Sequence, residues 1–110
     1  MNSGDRPSGK NEAKTVRRKV TIINSRGLHA RAAAQFAKAA GGFKAKILVS
    51  KGDQSVSGLS IMGLMMLAAS PGSDLELVAS GPDAKAAIDA LETLIAAKFE
   101  EDDPGNGAGT

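Results

Sequence analysis

The 110-residue chain is predicted to fold as an α+β sandwich, with three helices covering one face of a four-stranded antiparallel sheet. Three observations predict this class. Three stretches alternate apolar and polar residues at the period of a strand, and a fourth is long enough only for a short strand. Two stretches repeat apolar residues at i, i+3, i+4 and i+7, and a third, short and apolar, sits between turn signals. The resulting order is strand, helix, strand, strand, helix, strand, helix, in a chain with room for one core only.

The first strand is VRRKVTII, in which Val16, Arg18, Val20 and Ile22 alternate with Arg17, Lys19, Thr21 and Ile23. Gly27 marks a turn, and a helix follows from Ala30, with Ala33, Phe36, Ala37 and Ala40 on one stripe. Gly41 and Gly42 stop it. FKAKILV alternates again, with Phe43, Ala45, Ile47 and Val49 on one side. KGDQ is a turn and SVSG a short strand. SIMGLMML, residues 60–67, is a helix of about two turns, and SPGSD is a loop. LELVA carries Leu75, Leu77 and Ala79 inward. Pro82 and Asp83 open the last helix, with Ala84, Ala87, Ile88, Leu91 and Ile95 at helical spacing. The uncovered sheet face, with Arg17, Lys19, Lys44 and Lys46, meets water.

The folded domain spans residues 15–99 and is flanked by disordered tails. Residues 1–14 are polar and hold no apolar signal-peptide region. Residues 100–110, EEDDPGNGAGT, are an acidic run followed by a Gly-rich end. No apolar run reaches a membrane-spanning length. Cysteine is absent, which excludes disulfides and thiolate metal sites and fits a reducing compartment.

The net charge of +2 is unevenly placed. Residues 1–31 hold eight Lys/Arg and two acids; residues 32–110 hold six Lys/Arg and ten acids. The cationic part surrounds the one histidine, His29, and suits an anionic group or an acidic protein surface. Nucleic acid fits less well, because no dense basic stripe and no set of stacking aromatics is present.

His29 sits where the turn becomes the first helix. The first amides of a helix have no intrahelical partner, and its dipole is positive there, so the place attracts anions. A second positive charge is disfavoured there, which favours a neutral ring with a free lone pair. Arg31 adds a guanidinium fork suited to phosphate oxygens. These are the requirements of a histidine that accepts and releases a phosphoryl group. A plain capping or surface residue is the competing reading. A metal site lacks a second His or any Cys. The alanines after Arg31 favour a flat, accessible surface over a pocket.

Two motifs then identify a family. GLHARAAAQF resembles the active-site signature of HPr, the histidine-containing phosphocarrier of the bacterial phosphotransferase system. GLSIMGLMML, residues 58–67, resembles that family's regulatory-serine segment, at matching spacing. The likeness runs over residues 16–99, and the family's open-faced β-sandwich agrees with the element order above. By this resemblance His29 is the histidine phosphorylated on Nδ1 and Arg31 the active-site arginine. Ser60 is the serine phosphorylated by an ATP-dependent serine kinase/phosphatase. Ala34, Ile61, Met62 and Met65 form the apolar patch that docks enzyme I and IIA-type proteins. Leu64 and Leu67 are core, and exposed Met suits a surface with several partners. The family usually has Pro after the arginine, where this chain has Ala32. Ala there resembles the nitrogen-type, regulatory branch. The resemblance implies a cytoplasmic, monomeric carrier without cofactor or metal, a phosphoryl-transfer intermediate rather than an enzyme. The alternative is a non-catalytic interaction module that uses the Met-rich surface.

Overall fold

Strand periodicity decides the architecture. In the computed structural model, which describes residues 14–101, the chain forms β1 (Thr15–Thr21), α1 (Ala30–Ala40), β2 (Lys46–Lys51), β3 (Gln54–Ser57), α2 (Ile61–Met66), β4 (Asp74–Ser80) and α3 (Ala84–Ala96). A 3-10 turn, Lys98–Glu100, follows. The strands make one antiparallel sheet in the order β1-β4-β2-β3. Pairing sets Val20 opposite Leu75, and Ala79 and Leu77 opposite Ile47 and Val49. All six are buried on the face that the helices cover. On the other face Arg17, Lys19 and Lys46 are exposed, as alternation requires, and Arg17 pairs with Glu76 at 3.6 Å.

The helices close the core. α1 buries Ala32, Ala33, Phe36 and Ala40, and α3 buries Ala84, Ala87, Ile88, Leu91 and Ile95. Each buried Leu, Ile or Phe stabilises the fold by about 1.5–3 kcal/mol relative to exposure. Alanines on the buried stripes let α1 and α3 approach each other, and let α3 lie close on β1 and β4. Arg18 points to the helix side, but its length carries the guanidinium to Asp89 (3.4 Å) and Glu92 on α3. The hydrogen bond to Glu92 holds the Arg18 proton more tightly than usual. Lys85, and after it Arg18, holds the Asp89 carboxyl below its ordinary range.

Three local features differ from the sequence reading. Residues 43–45 bend before β2 rather than extending it. The cause is a joint with the start of α3: the Lys44 amide donates to Asp83 Oδ2 at 2.8 Å, and the Asp83 amide donates to the Lys44 carbonyl at 3.1 Å. The Asp83 carboxylate therefore binds another loop instead of capping its own helix. At the end of α1, Gly41 is right-handed (φ −69°), so the helix ends without a left-handed cap. Finally, Glu100 and Glu101, assigned to the tail from their charge, are placed against the domain. Lys98, Phe99 and Glu100 have φ of 58°, 55° and 55°, and this left-handed turn buries Phe99 in the core. Residues 1–13 and 102–110 of the expected tails lie outside the described residues. No helix among the described residues is long and apolar enough to cross a membrane.

The loop before α1 is held by backbone contacts. Ile22 donates to the Ser73 carbonyl (2.9 Å), Gly72 to that of Ile22 (2.8 Å) and Leu28 to that of Ala69 (2.9 Å). Between them Gly27 is left-handed (φ +66°), and a Cβ there would stand 2.3 Å from the Ala69 oxygen. Gly27→Ala should therefore cost more than the roughly 1–2 kcal/mol of a left-handed residue alone. A urea titration checks this; an unchanged midpoint would show that the two loops are not locked together.

Candidate functional site

His29 is the N-cap residue of α1. Its backbone is extended (φ −74°, ψ 178°), its carbonyl accepts from the Ala33 amide at 2.8 Å, and its side chain makes no capping bond. The ring is thus free of the usual cap duty. The amides of Ala30, Arg31 and Ala32 occupy the first turn, where the helix offers them no acceptor. Leu28, before the histidine, is buried and ties the backbone down. Asn24, which the sequence reading passed over, is also fully buried, and its Nδ2 donates to the Gly27 carbonyl at 2.8 Å. Its role is to rigidify the turn; only a polar residue ahead of a glycine hinted at it.

The surface here is not flat. His29, Arg26, Arg31, Gln35, Phe99 and Glu101 line a depression of about 290 Å³. The small α1 alanines do leave space, but the turn Lys98–Glu100 builds a wall over it. The Glu101 carboxylate lies 3.6 Å from His29 Nε2 and 3.9 Å from Arg26 Nε. His29 and Glu101 side chains are only 16% and 12% exposed, and Arg31 is exposed at the rim. Chemically, this is an imidazole with one nitrogen facing a carboxylate, beside open amides and a guanidinium. Such a site can hold a phosphoryl-sized anion next to a nucleophilic nitrogen. Among the described residues, no three His, Asp or Glu are grouped to hold a metal ion.

The second motif forms α2. Ser60 is its N-cap, with Oγ accepting from the Gly63 amide at 2.9 Å. A Cβ on Gly63 would stand 3.0 Å from both Ser60 Oγ and Val56 Cβ, so glycine lets α2 lie close on β3. Leu64 and Leu67 are core. Ile61, Met62 and Met65 are exposed, as are Leu59 and Met66, which the sequence reading left out. Ala34 is half-buried on α1, which packs against α2.

Comparison with known proteins agrees with this geometry. The family model described as "PTS HPr component phosphorylation site" matches residues 16–97. The phosphocarrier protein HPr of Cupriavidus necator is 48% identical over 86 residues, covering 78% of this chain and 97% of that protein. The phosphocarrier protein NPr of Shewanella violacea is 44% identical, covering 78% and 94%. Among solved structures, HPr from Thermoanaerobacter tengcongensis superposes with a TM-score of 0.76 at 42% identity, over 79% of this chain and 98% of that one.

The position of Ala32 generates a test of the helix start. It is the third residue of α1, with an amide that needs no helical acceptor and a fully buried side chain. Ala32→Pro should be tolerated, changing stability by less than about 1 kcal/mol, or about 4–8 °C in melting temperature. Loss of a cooperative melt would mean that the helix bonding begins earlier than Ala30.

Proposed function

Because the chain belongs to the HPr family of phosphotransferase-system phosphocarriers, we propose that His29 takes a phosphoryl group from phosphorylated enzyme I and hands it to a IIA-type protein. The observation that carries this reading is His29 at the α1 N-terminus, its side chain free of capping, beside Arg31 and the open amides of the first turn. The Nδ1 lone pair forms the new N–P bond as the donor's bond to phosphorus breaks and its electron pair stays with the donor. The amides and Arg31 stabilise the equatorial oxygens during transfer. Onward transfer returns the electron pair to Nδ1.

The exposed Ile61, Met62 and Met65, together with Ala34, serve as the docking surface. Ala32, in place of the usual Pro, favours the nitrogen-type, regulatory branch. The chain acts in the cytoplasm as a monomer without cofactor, and Ser60 is open to an ATP-dependent kinase. The rival reading, a non-catalytic interaction module, has the same Met surface but no use for the site around His29.

Incubation with enzyme I and phosphoenolpyruvate separates the two. The wild-type chain should gain an acid-labile, base-stable phosphate, and His29→Ala should gain none while still melting cooperatively. Phosphate on the His29→Ala variant overturns the carrier reading. Arg31→Ala should slow transfer by about 2–4 kcal/mol in the transition state, as when one oriented donor is lost.

Ser60 has a structural role and a proposed regulatory one, and variants separate them. Ser60→Ala should lose about 0.5–2 kcal/mol with its cap while keeping near-normal transfer. Ser60→Asp keeps an acceptor at the helix start but sets a charge beside Ile61 and Met62. It should weaken phosphorylation by enzyme I with little change in melting temperature. Equal kinetics for wild type and Ser60→Asp would leave Ser60 as a cap only.

A further inference from the structure

We propose that the thioether sulfurs of Met62 and Met66 are sites of reversible oxidation, through which a peroxide sets how tightly the α2 surface docks. The proposal deepens the docking part of the phosphocarrier reading and rests on it. The chain has four methionines and no cysteine. With no thiol to react first, oxygen transfer to sulfur in this chain falls on thioethers. Three of the methionines, Met62, Met65 and Met66, stand within the six residues of α2. Their spacing of i, i+3 and i+4 puts them on one face of the helix. Met62 is 70% exposed and Met66 72%, against 40% for Met65. An oxidant in water reaches the first two without any opening of the fold.

The step is an oxygen transfer from hydrogen peroxide. A sulfur lone pair attacks one peroxide oxygen and the O–O bond breaks. The leaving hydroxide takes the proton of the transferred oxygen and departs as water. The sulfur is oxidised by one electron pair, and the peroxide is reduced by the same pair. The product is a sulfoxide, which sulfoxide reductases return to the thioether, one enzyme for each epimer. The exposure that admits the peroxide admits the reductases as well.

Oxidation changes polarity rather than fold. The sulfoxide oxygen is a hydrogen-bond acceptor in the middle of a side chain that was apolar. In the free chain it faces water. Under an apolar partner surface it is buried without a donor, and an unmet acceptor weakens the contact. The helix itself is anchored by other residues. Leu64 and Leu67 sit in the core, and the Ser60 hydroxyl accepts from the Gly63 amide. The depression beside His29 is lined by the start of α1, the loop before it and the chain's end, not by α2. The modification therefore acts on encounter with a partner and leaves the reacting centre as it was.

The test treats the full chain with hydrogen peroxide, removes the excess with catalase, and only then adds phosphorylated enzyme I. Peptide mass spectrometry should find one oxygen on Met62 and on Met66 before Met65 is converted. KM for the carrier should rise about tenfold, which is about 1.4 kcal/mol. The rate at saturation and the melting temperature should not change, and the two reductases should restore KM. A double variant, Met62→Leu with Met66→Leu, is compared with itself before and after peroxide and should show no rise. A rise of the same size in that variant, a lower melting temperature in the oxidised wild type, or an unchanged KM after oxidation overturns the proposal. Ile61→Glu distinguishes this last failure from failure of the docking reading. A charge on that exposed residue should raise KM if α2 docks. If Ile61→Glu raises KM and oxidation does not, the oxidation proposal alone falls. If neither does, the docking reading falls, and the proposal with it.

Discussion

The Ala69 carbonyl accepts the Leu28 amide, and the Gly27 backbone lies against the same oxygen with no room for a side chain. This contact continues the pairing of β1 with β4 past the ends of both strands, through the Ile22–Ser73 and Gly72–Ile22 bonds. It fixes the direction in which the chain leaves the sheet, and hence where α1 begins. Asn24 closes the turn from inside with its bond to the Gly27 carbonyl. The histidine is thus mounted on an extension of the sheet, not on a free loop. A mount of this kind holds a side chain at a defined angle.

Two kinds of surface meet around this mount. The α1 N-terminus is polar, oriented and fixed. The surface of α2 is apolar and soft, built from unbranched methionines on a helix of only six residues with one buried position, Leu64. Exposed methionines make a surface that can adapt its shape, next to a helix start that does not. The Ser60 cap lies at the start of that apolar helix, where the helix dipole tolerates a negative charge.

Much of this was readable in the chain itself. The alternation around Val20 and Ile47 located the sheet, and a serine ahead of an apolar run gave the α2 cap, because in each case a short-range rule decides the structure. His29 was legible as a helix-start histidine with Arg31 close by. Glu101 was not. Four acids in a row, EEDD, ordinarily mean solvent, and no local preference announces a left-handed turn made of Lys, Phe and Glu. Its position follows from burial of Phe99, a contact between the chain's end and its middle that periodicity does not encode. For the same reason the depression beside His29 was expected to be flat: its wall comes from a distant segment. Asn24 was missed because its value lies in a single buried bond.

The strand order has a consequence for how the chain acquires this structure. β4, which pairs with both β1 and β2, is the last strand in sequence among the described residues. β1 meets β4 at sequence separations of 53 to 65. Pairings so distant in sequence slow folding, since the loop must close before any contact rewards it. At about 5–20 residues per second on a ribosome, β1 is outside for several seconds with nothing to pair with. Arg17, Arg18 and Lys19, three consecutive cations in the middle of that strand, make it a poor template for other nascent chains during the wait. The basic residues of β1 thus act as gatekeepers against aggregation before they take their places on the finished sheet.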